Sequence, residues 1–352
     1  MKRIELYIGI LLMALLAGCN VHEWPEKPDA PVPTYTYQVH LDFDTDMGEQ
    51  THFYDSRSAD LMADYEMRYT VKAFPYLEAR NNDGTRSISR SAMWSHTFTR
   101  PVSLNDYDCT VDLDLPEGEY TLMVWADFVR KSTDTHHFYN PDNFSEIVLH
   151  GDHKANTDLR DAFRGVQAVE IVGPYIESRS ENIIIVMERP LAKFTVVTTD
   201  LLEFFEREEE AARKRAESRG EEYDESRGIS LDDYNVVFYY SGFMPCAYSM
   251  FTDKPIDSKT GIQFKSKLEQ TSDTEARMGF DYVMVNGTDA SVMVTIGLLD
   301  AEGNPVAMSD EINVPLNRSV NTIVRGKFLI QEANGGIGID PDFEGDYNIV
   351  IP

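Results

Sequence analysis

Apolar residues at every second position constrain this chain more than any other feature. In "YTYQVHLDF" they are Tyr35, Tyr37, Val39, Leu41 and Phe43, and in "YEMRYTVKA" they are Tyr65, Met67, Tyr69, Val71 and Ala73. A step of two puts each set on one face of a pleated strand, whereas a helix needs steps of three and four. "CTVDLDL" repeats the pattern with Cys109, Val111, Leu113 and Leu115. After the turn "PEGE", "YTLMVWADF" repeats it with Tyr120, Leu122, Val124, Ala126 and Phe128. Trp125 falls on the opposite face, so both faces of that strand are expected to be covered. Half-buried antiparallel strands follow, with a turn at Asp83-Gly84 where glycine supplies a positive φ.

The pattern continues to the C-terminus. "NIIIVM" reads as a fully buried strand, and "YNVVFYYSGF", "FDYVMV", "SVMVTIGLLD" and "NTIVRGKFLI" as further strands, with a hairpin at Gly303-Asn304. A short helix is expected over "NTDLRDAFRG", capped by Asn156 or Thr157, with Leu159 and Phe163 on one face and Gly165 ending it. A longer helix is expected over 200–220. Asp200 would cap it and Glu203 answer, Leu201, Leu202, Phe204 and Phe205 would pack its first turns, and Gly220 would end it. Ten of the fourteen residues from Glu206 to Arg219 are ionised. Glu209 with Arg213 and Glu210 with Lys214 stand at i,i+4 in the favourable order, so this reads as a solvated, decorative insertion. Two all-β segments with short turns fit two sandwiches better than one barrel. The expected division is an N-terminal sandwich over 35–188 and a C-terminal sandwich over 189–352.

The N-terminus sets the destination. "MKRIELYIGILLMALLAGC" places Lys2 and Arg3 before an apolar run, Leu6 to Ala17, that is too short to span a bilayer, so residues 1–18 read as a signal peptide. It closes on Leu16-Ala17-Gly18-Cys19, which resembles the bacterial lipobox and makes Cys19 the lipidation site, with the outer membrane reached through that lipid anchor. Residues 19–34 hold prolines at 25, 28, 31 and 33, an extended tether that lifts the folded part off the membrane.

Without Lys2, Arg3 and Glu5 the mature chain has 59 acids against 30 bases, a net −29. That balance excludes nucleic acid as a partner. Cys109 and Cys246 are too few for a disulfide scaffold and are expected to be free and buried.

The chain carries no GxSxG elbow, no HExxH, no phosphate loop and no dinucleotide-binding glycine motif, so no catalytic residue, cofactor or enzymatic role is assigned. His136, His137, His150 and His153 cluster in sequence, but without the spacing of a metal pair they read as polar loop residues. Trp94, Trp125, Phe138 and Tyr139 are the one candidate glycan platform, with core packing the favoured reading. The tail "DPDFEGDYNIVI" follows the early positions of a calcium loop, but Ile351 stands where the bidentate glutamate belongs. No metal is assigned there, and Ile349 with Ile351 reads instead as a short final strand.

Several stretches carry a family resemblance: "RPLAKFTVVTTDL", "YSGFMPCAYSMFTDKPIDSKTGIQF", "GFDYVMVNG", "NVPLNRSVNTIVRGKFL" and "GGIGIDPDFEGDYNIVIP", with "LPEGEYTLMVWADF" and "YNPDNFSEIVL" in the first half. In this order, over nearly all of the mature chain, they resemble fimbrillin-like lipoproteins of Bacteroidales. The resemblance implies an all-β fold of two tandem transthyretin-like antiparallel β-sandwich domains. The charged helical insertion departs from that plan.

By function it implies a cell-surface fimbrial (pilus) anchor, accessory or structural subunit. Its partners would be other fimbrial subunits, joined by strand donation, with a glycan or host surface ligand as a further partner. Polymerising members are trimmed by an arginine-specific protease. Arg57 and Arg68 are available here, Arg68 inside a predicted strand. The stiff tether and strong first strand favour the anchor or accessory role. The alternative is a surface glycan-binding lipoprotein serving a neighbouring outer-membrane transporter.

Overall fold

The computed structural model describes residues 32–47, 64–81, 83–101, 107–131, 136–173, 183–224, 228–287, 290–330 and 348–350. In the first half the strands are β1 Thr34–Phe43, β2 Tyr65–Arg80, β3 Arg86–Ile88, β4 Trp94–Pro101 and β5 Cys109–Pro116. They continue as β6 Gly118–Arg130, β7 Tyr139–Asn140, β8 Ile147–Leu149, β9 Ala162–Ile171 and β10 Ile183–Met187. In the second half β11 Leu191–Thr198 precedes the helix α1, Leu201–Arg219. Then follow β12 Asn235–Tyr240, β13 Met244–Ser249, β14 Lys254–Lys259, β15 Gln263–Ser266, β16 Glu269–Gln270 and β17 Ala276–Met284. The last are β18 Ala290–Leu299, β19 Pro305–Met308, β20 Ile312–Leu316, β21 Asn321–Gly326 and β22 Asn348–Val350.

These strands build two sandwiches. In the first, the sheet β10-β1-β5 packs on β3-β2-β6-β9, with β4 added on β2. Alternation does what the sequence requires of it: Val39, Leu41, Leu113 and Leu115 from one sheet meet Tyr69, Val71, Leu122 and Val124 from the other, all buried. In the second, β16-β17-β11-β21-β22 packs on β15-β12-β18-β19, with β20 on β18, around Phe194, Val196, Phe238, Val294, Ile296 and Val324. The fold is therefore all-β, with sandwich domains and a helical insertion.

A further sheet, β14-β13-β8-β7, takes two strands from each half. Ala247 and Tyr248 of β13 pair with Val148 and Ile147 of β8, so main-chain bonds join the halves. β6 runs under this junction and is buried on both faces from Tyr120 to Val129. Trp125 is fully buried there, its ring centroid 5.4 Å from Tyr139 and 6.2 Å from Tyr248. The hairpin at Gly303 forms as expected, and Gly84 takes φ 84 in its turn.

Three expectations are corrected. Over 156–165 only a 3-10 turn forms, Asp158–Arg160, with the Thr157 hydroxyl accepting from the Leu159 amide. Phe163 lies in β9 instead, because ten residues there pair with β6. Gly165 ends no helix. A Cβ on it would stand 2.5 Å from Ile185 Cγ2, so glycine is needed where β9 meets β10. "NIIIVM" is not fully buried: β10 is an edge strand, with Ile185 and Met187 buried and Ile184 and Val186 about half exposed.

Asp200 sits at the head of α1 but makes no side-chain cap. Its carboxylate is buried and accepts from the Leu329 and Ile330 amides, both at 3.0 Å, tying the end of the second sandwich to the helix start. Glu203 reaches Lys327 rather than its own helix. Gly220 closes α1 in the left-handed region, φ 70, its amide on the Ala216 and Glu217 carbonyls. Leu201 and Phe204 are buried, Leu202 is exposed, and Glu210 pairs with Lys214.

Candidate functional site

Two terminal strands and a buried charged seam stand out. β1 is the middle strand of its sheet. Eight residues pair antiparallel with β5, Thr34 to Leu41 against Pro116 to Cys109, and five pair parallel with β10, Val39 to Phe43 against Ile183 to Met187. The chain leaving β1 is held too: the Asp44 amide donates to the Met187 carbonyl at 3.0 Å, and Arg189 Nη1 to the Asp46 carbonyl at 3.1 Å. β22 is added in parallel on β21, with Asn348, Ile349 and Val350 opposite Ile323, Val324 and Arg325. One end of the described chain is thus threaded through the first sandwich, and the other is laid on the rim of the second.

Between the sandwiches lies a belt of buried charge. Asp281 of β17 is fully buried. Its Oδ2 lies 2.7 Å from His153 Nε2 and accepts from the Tyr240 hydroxyl at 2.6 Å, and its Oδ1 is 3.4 Å from Arg160 Nε. Burial alone would push this carboxyl up, but the charges of Arg160 and His153 outweigh it and hold Asp281 below the usual carboxylate range. Beside it Lys193 reaches Asp158 at 2.7 Å, and the Tyr282 hydroxyl donates to the same oxygen at 2.9 Å.

Arg189 Nε donates to both oxygens of Asp161, at 3.0 and 2.8 Å, and the backbones of Asn156 and Phe280 bond across the seam. Asp253 gathers Arg164, Arg318 and the Tyr248 hydroxyl. Every one of these clusters joins a residue of 35–188 to a residue of 189–352. Unpaired, such charges would be costly to bury, so they fix how the halves meet.

The residues singled out in the sequence fall as follows. Cys19, the signal peptide, nearly all of the tether, Arg57, the acidic turn at 340–346 and Ile351 lie outside the described residues. Cys109 and Cys246 are free and buried. Arg68 is buried in β2 and grips Asp127 with two bonds, Nε to Oδ1 at 2.9 Å and Nη2 to Oδ2 at 2.6 Å. A protease cannot reach it there.

The histidines do not behave alike. His136 contacts Arg68 and Asp142, and His137 packs on Phe138 with its ring pKa lowered to about 4 by burial and by Lys154 and Arg130. His153 lies in the loop before the 3-10 turn, as expected, but its side chain is buried in the seam. Among the described residues no group of three or more histidines, cysteines or carboxylates is placed to hold a metal ion. The aromatic platform does not form: Trp125, Phe138 and Tyr139 are buried and Trp94 is half-buried. The seam had a signal that sequence reading passed over. Asp281 in "GFDYVMV" is a lone acid inside an apolar run, where only a buried partner makes a charge tolerable, just as Asp127 in "MVWADF" marks the Arg68 pair inside the first sandwich.

Fold and site together define a tandem β-sandwich protein locked at its waist and ending in strands. The chain belongs to the family of unknown function DUF6562, whose model matches residues 31–352. No curated protein matches it. Solved structures similar to it include Bacteroidales fimbrial proteins. The fimbrial anchor protein Mfa2 of Porphyromonas gingivalis is 15% identical at TM-score 0.37, with 78% of this chain and 82% of that one covered. A fimbrial assembly protein of Parabacteroides distasonis is 10% identical at TM-score 0.37, covering 84% and 92%. The tip fimbrial protein Mfa3 of P. gingivalis, with a C-terminal truncation, is 11% identical at TM-score 0.35, covering 80% and 81%. Likeness at this level says nothing about the role of this chain.

Proposed function

We propose that this chain is a lipid-anchored fimbrial anchor, accessory or structural subunit at the outer membrane, joined to its neighbours by strand exchange. The observation that carries the reading is the placement of the terminal strands. β22 adds to an edge by main-chain pairing across three residues, a contact that another copy's strand could make equally well. β1 fills the middle of a sheet, so its departure would leave a slot between β5 and β10.

That slot does not open unaided. Burial of Val39 and Leu41 alone is worth roughly 3–6 kcal/mol, and thirteen residue pairings hold the strand besides. Opening requires cutting the chain after β1. With Arg68 buried, Arg57 is the arginine left for it. An uncut chain keeps β1 and its lipid on Cys19, which is the anchor or accessory role. The buried residues of the second core all follow Leu191, and the first core takes only Leu191, Tyr248, Met250, Phe280, Tyr282 and Met284 from beyond Met187, which supports reading 35–188 and 189–352 as separate domains.

Mass spectrometry of the protein from native outer membrane tests this. An intact, lipidated Cys19 peptide within assembled material is expected for the anchor role. Its absence there, with a new N-terminus after Arg57, would make the chain a polymerising subunit. Separately, truncation after Ile330 should abolish high-mass assemblies on gels. Their persistence would sink strand exchange through β22.

A further inference from the structure

The outer face of β2, β6 and β9 is covered at one end only. Phe74 packs on Phe251, their centroids 5.0 Å apart, and Trp125 lies under Tyr139 and Tyr248. Beyond that cover the same face opens into a groove of about 520 Å³. Cross-strand neighbours share a face, and Phe74, Thr121 and Ala168 form one row while Glu119 and Glu170 form the next. Tyr76 joins this floor, since its hydroxyl accepts from Thr121 Oγ1 at 3.2 Å. The β2–β3 hairpin forms the wall, presenting Arg80, Gly84, Thr85 and Arg86.

The side chains of this groove are an odd set for a bare sheet surface. Glu119 and Glu170 stand directly opposite each other, an arrangement that destabilises a sheet unless something answers it. Arg86 answers only one of them: it pairs with Glu119 and lies over the Tyr76 ring, 5.2 Å from its centroid. Arg80 bonds the Gly84 carbonyl, and Glu170 has no cationic partner among the described residues. Small Ala168 leaves the floor open between the carboxylates and the ring.

We infer that this groove is a carbohydrate site, taking a segment of a neutral oligosaccharide. Two carboxylates and two guanidinium groups are planar and bidentate, matching vicinal hydroxyls, which both donate and accept. Tyr76 supplies the apolar surface that the C–H face of a sugar ring needs. The charges in the groove balance, so no net ion is called for, and the volume is that of a small-ligand pocket. The site lies away from β1 and β22 and stands whether or not the chain assembles through them.

The test is affinity electrophoresis of the full chain in native gels containing mannan, xyloglucan or dextran, together with a printed array of neutral and acidic glycans. Retardation or array binding by at least one neutral glycan is expected. Glu170→Gln and Tyr76→Ala should each weaken it about tenfold or more, as loss of a hydrogen bond to a charged group does. Lys259→Gln, outside the groove, should leave it unchanged. Circular dichroism verifies that each variant is folded, and Glu170→Gln, altering one atom of an exposed side chain, keeps the test alive should Tyr76→Ala misfold. The inference is overturned by no binding to any neutral glycan, by binding that both variants retain, or by binding confined to acidic glycans.

Discussion

Asp281→Ala isolates the seam. The substitution removes the acceptor of His153 and Tyr240 and the counter-charge of Arg160, whose side chain is 4% exposed and cannot turn to solvent. Breaking a buried pair by deleting one partner costs about 3–5 kcal/mol. With main-chain pairing joining the halves through β14-β13-β8-β7, the two cores are expected to melt together. Unfolding entropy near Tm is about 2.1 cal/mol/K per residue, so for the roughly 260 described residues the loss lowers Tm by about 5–9 °C.

The pH dependence has a definite sign. A carboxyl held below its unfolded value stabilises above that value, about 3.9, and the contribution vanishes as pH falls through the folded one. The wild type should therefore lose part of its margin over Asp281→Ala in strong acid. Differential scanning calorimetry with guanidinium titration measures both effects. A control separates charge from packing: His153→Leu, Arg160→Met, Tyr240→Phe and Asp281→Leu together should restore most of the stability, because a fully apolar set leaves no charge unpaired. The reasoning is refuted if Asp281→Ala costs less than about 1 kcal/mol, or if the fourfold variant is as unstable as the single one.

Other outcomes follow from single sites. Gly165→Ala should destabilise by about 1–3 kcal/mol through overpacking, since its Cβ would meet Ile185, Met187 and the Val186 carbonyl; chemical denaturation reads this. His137 is held neutral down to about 4, so its contribution is present above the unfolded value near 6.5 and lost as pH falls towards 4. His137→Phe should flatten the Tm profile over that window. Cys109, its thiol pushed up to about 11 by burial, and Cys246, raised by burial and Asp257, should resist iodoacetamide in native protein and react in denaturant, as mass spectrometry would record.

Strands were legible wherever one face was covered, as in "YTYQVHLDF" and "YEMRYTVKA", because period two is then imposed by burial itself. The same logic exposed Trp125, whose off-phase position marks β6 as covered twice. It failed at 156–165, where Leu159 and Phe163 fit a helix equally well and pairing with β6 decided the matter. It failed at "NIIIVM" because an unbroken apolar run cannot tell an edge strand from a central one. Asp200 was read locally as a cap, whereas its partners lie about 130 residues away at Leu329 and Ile330. The waist was illegible for the same reason. β7 and β8 are two and three residues long and acquire meaning only beside β13.

The position of β1 also has a mechanical consequence. A lipid at Cys19 would pull on the N-terminal end of β1 along the strand axis, while a neighbour pulling on the rest of the molecule would load the sheet in the opposite direction. Its pairings with β5 and β10 would then be sheared together instead of peeled one at a time. An unzipping hairpin gives way at the force of a single bond. A strand gripped on both sides must surrender its ladders at once, so the same residues that close the first core would set the tensile strength of the tether.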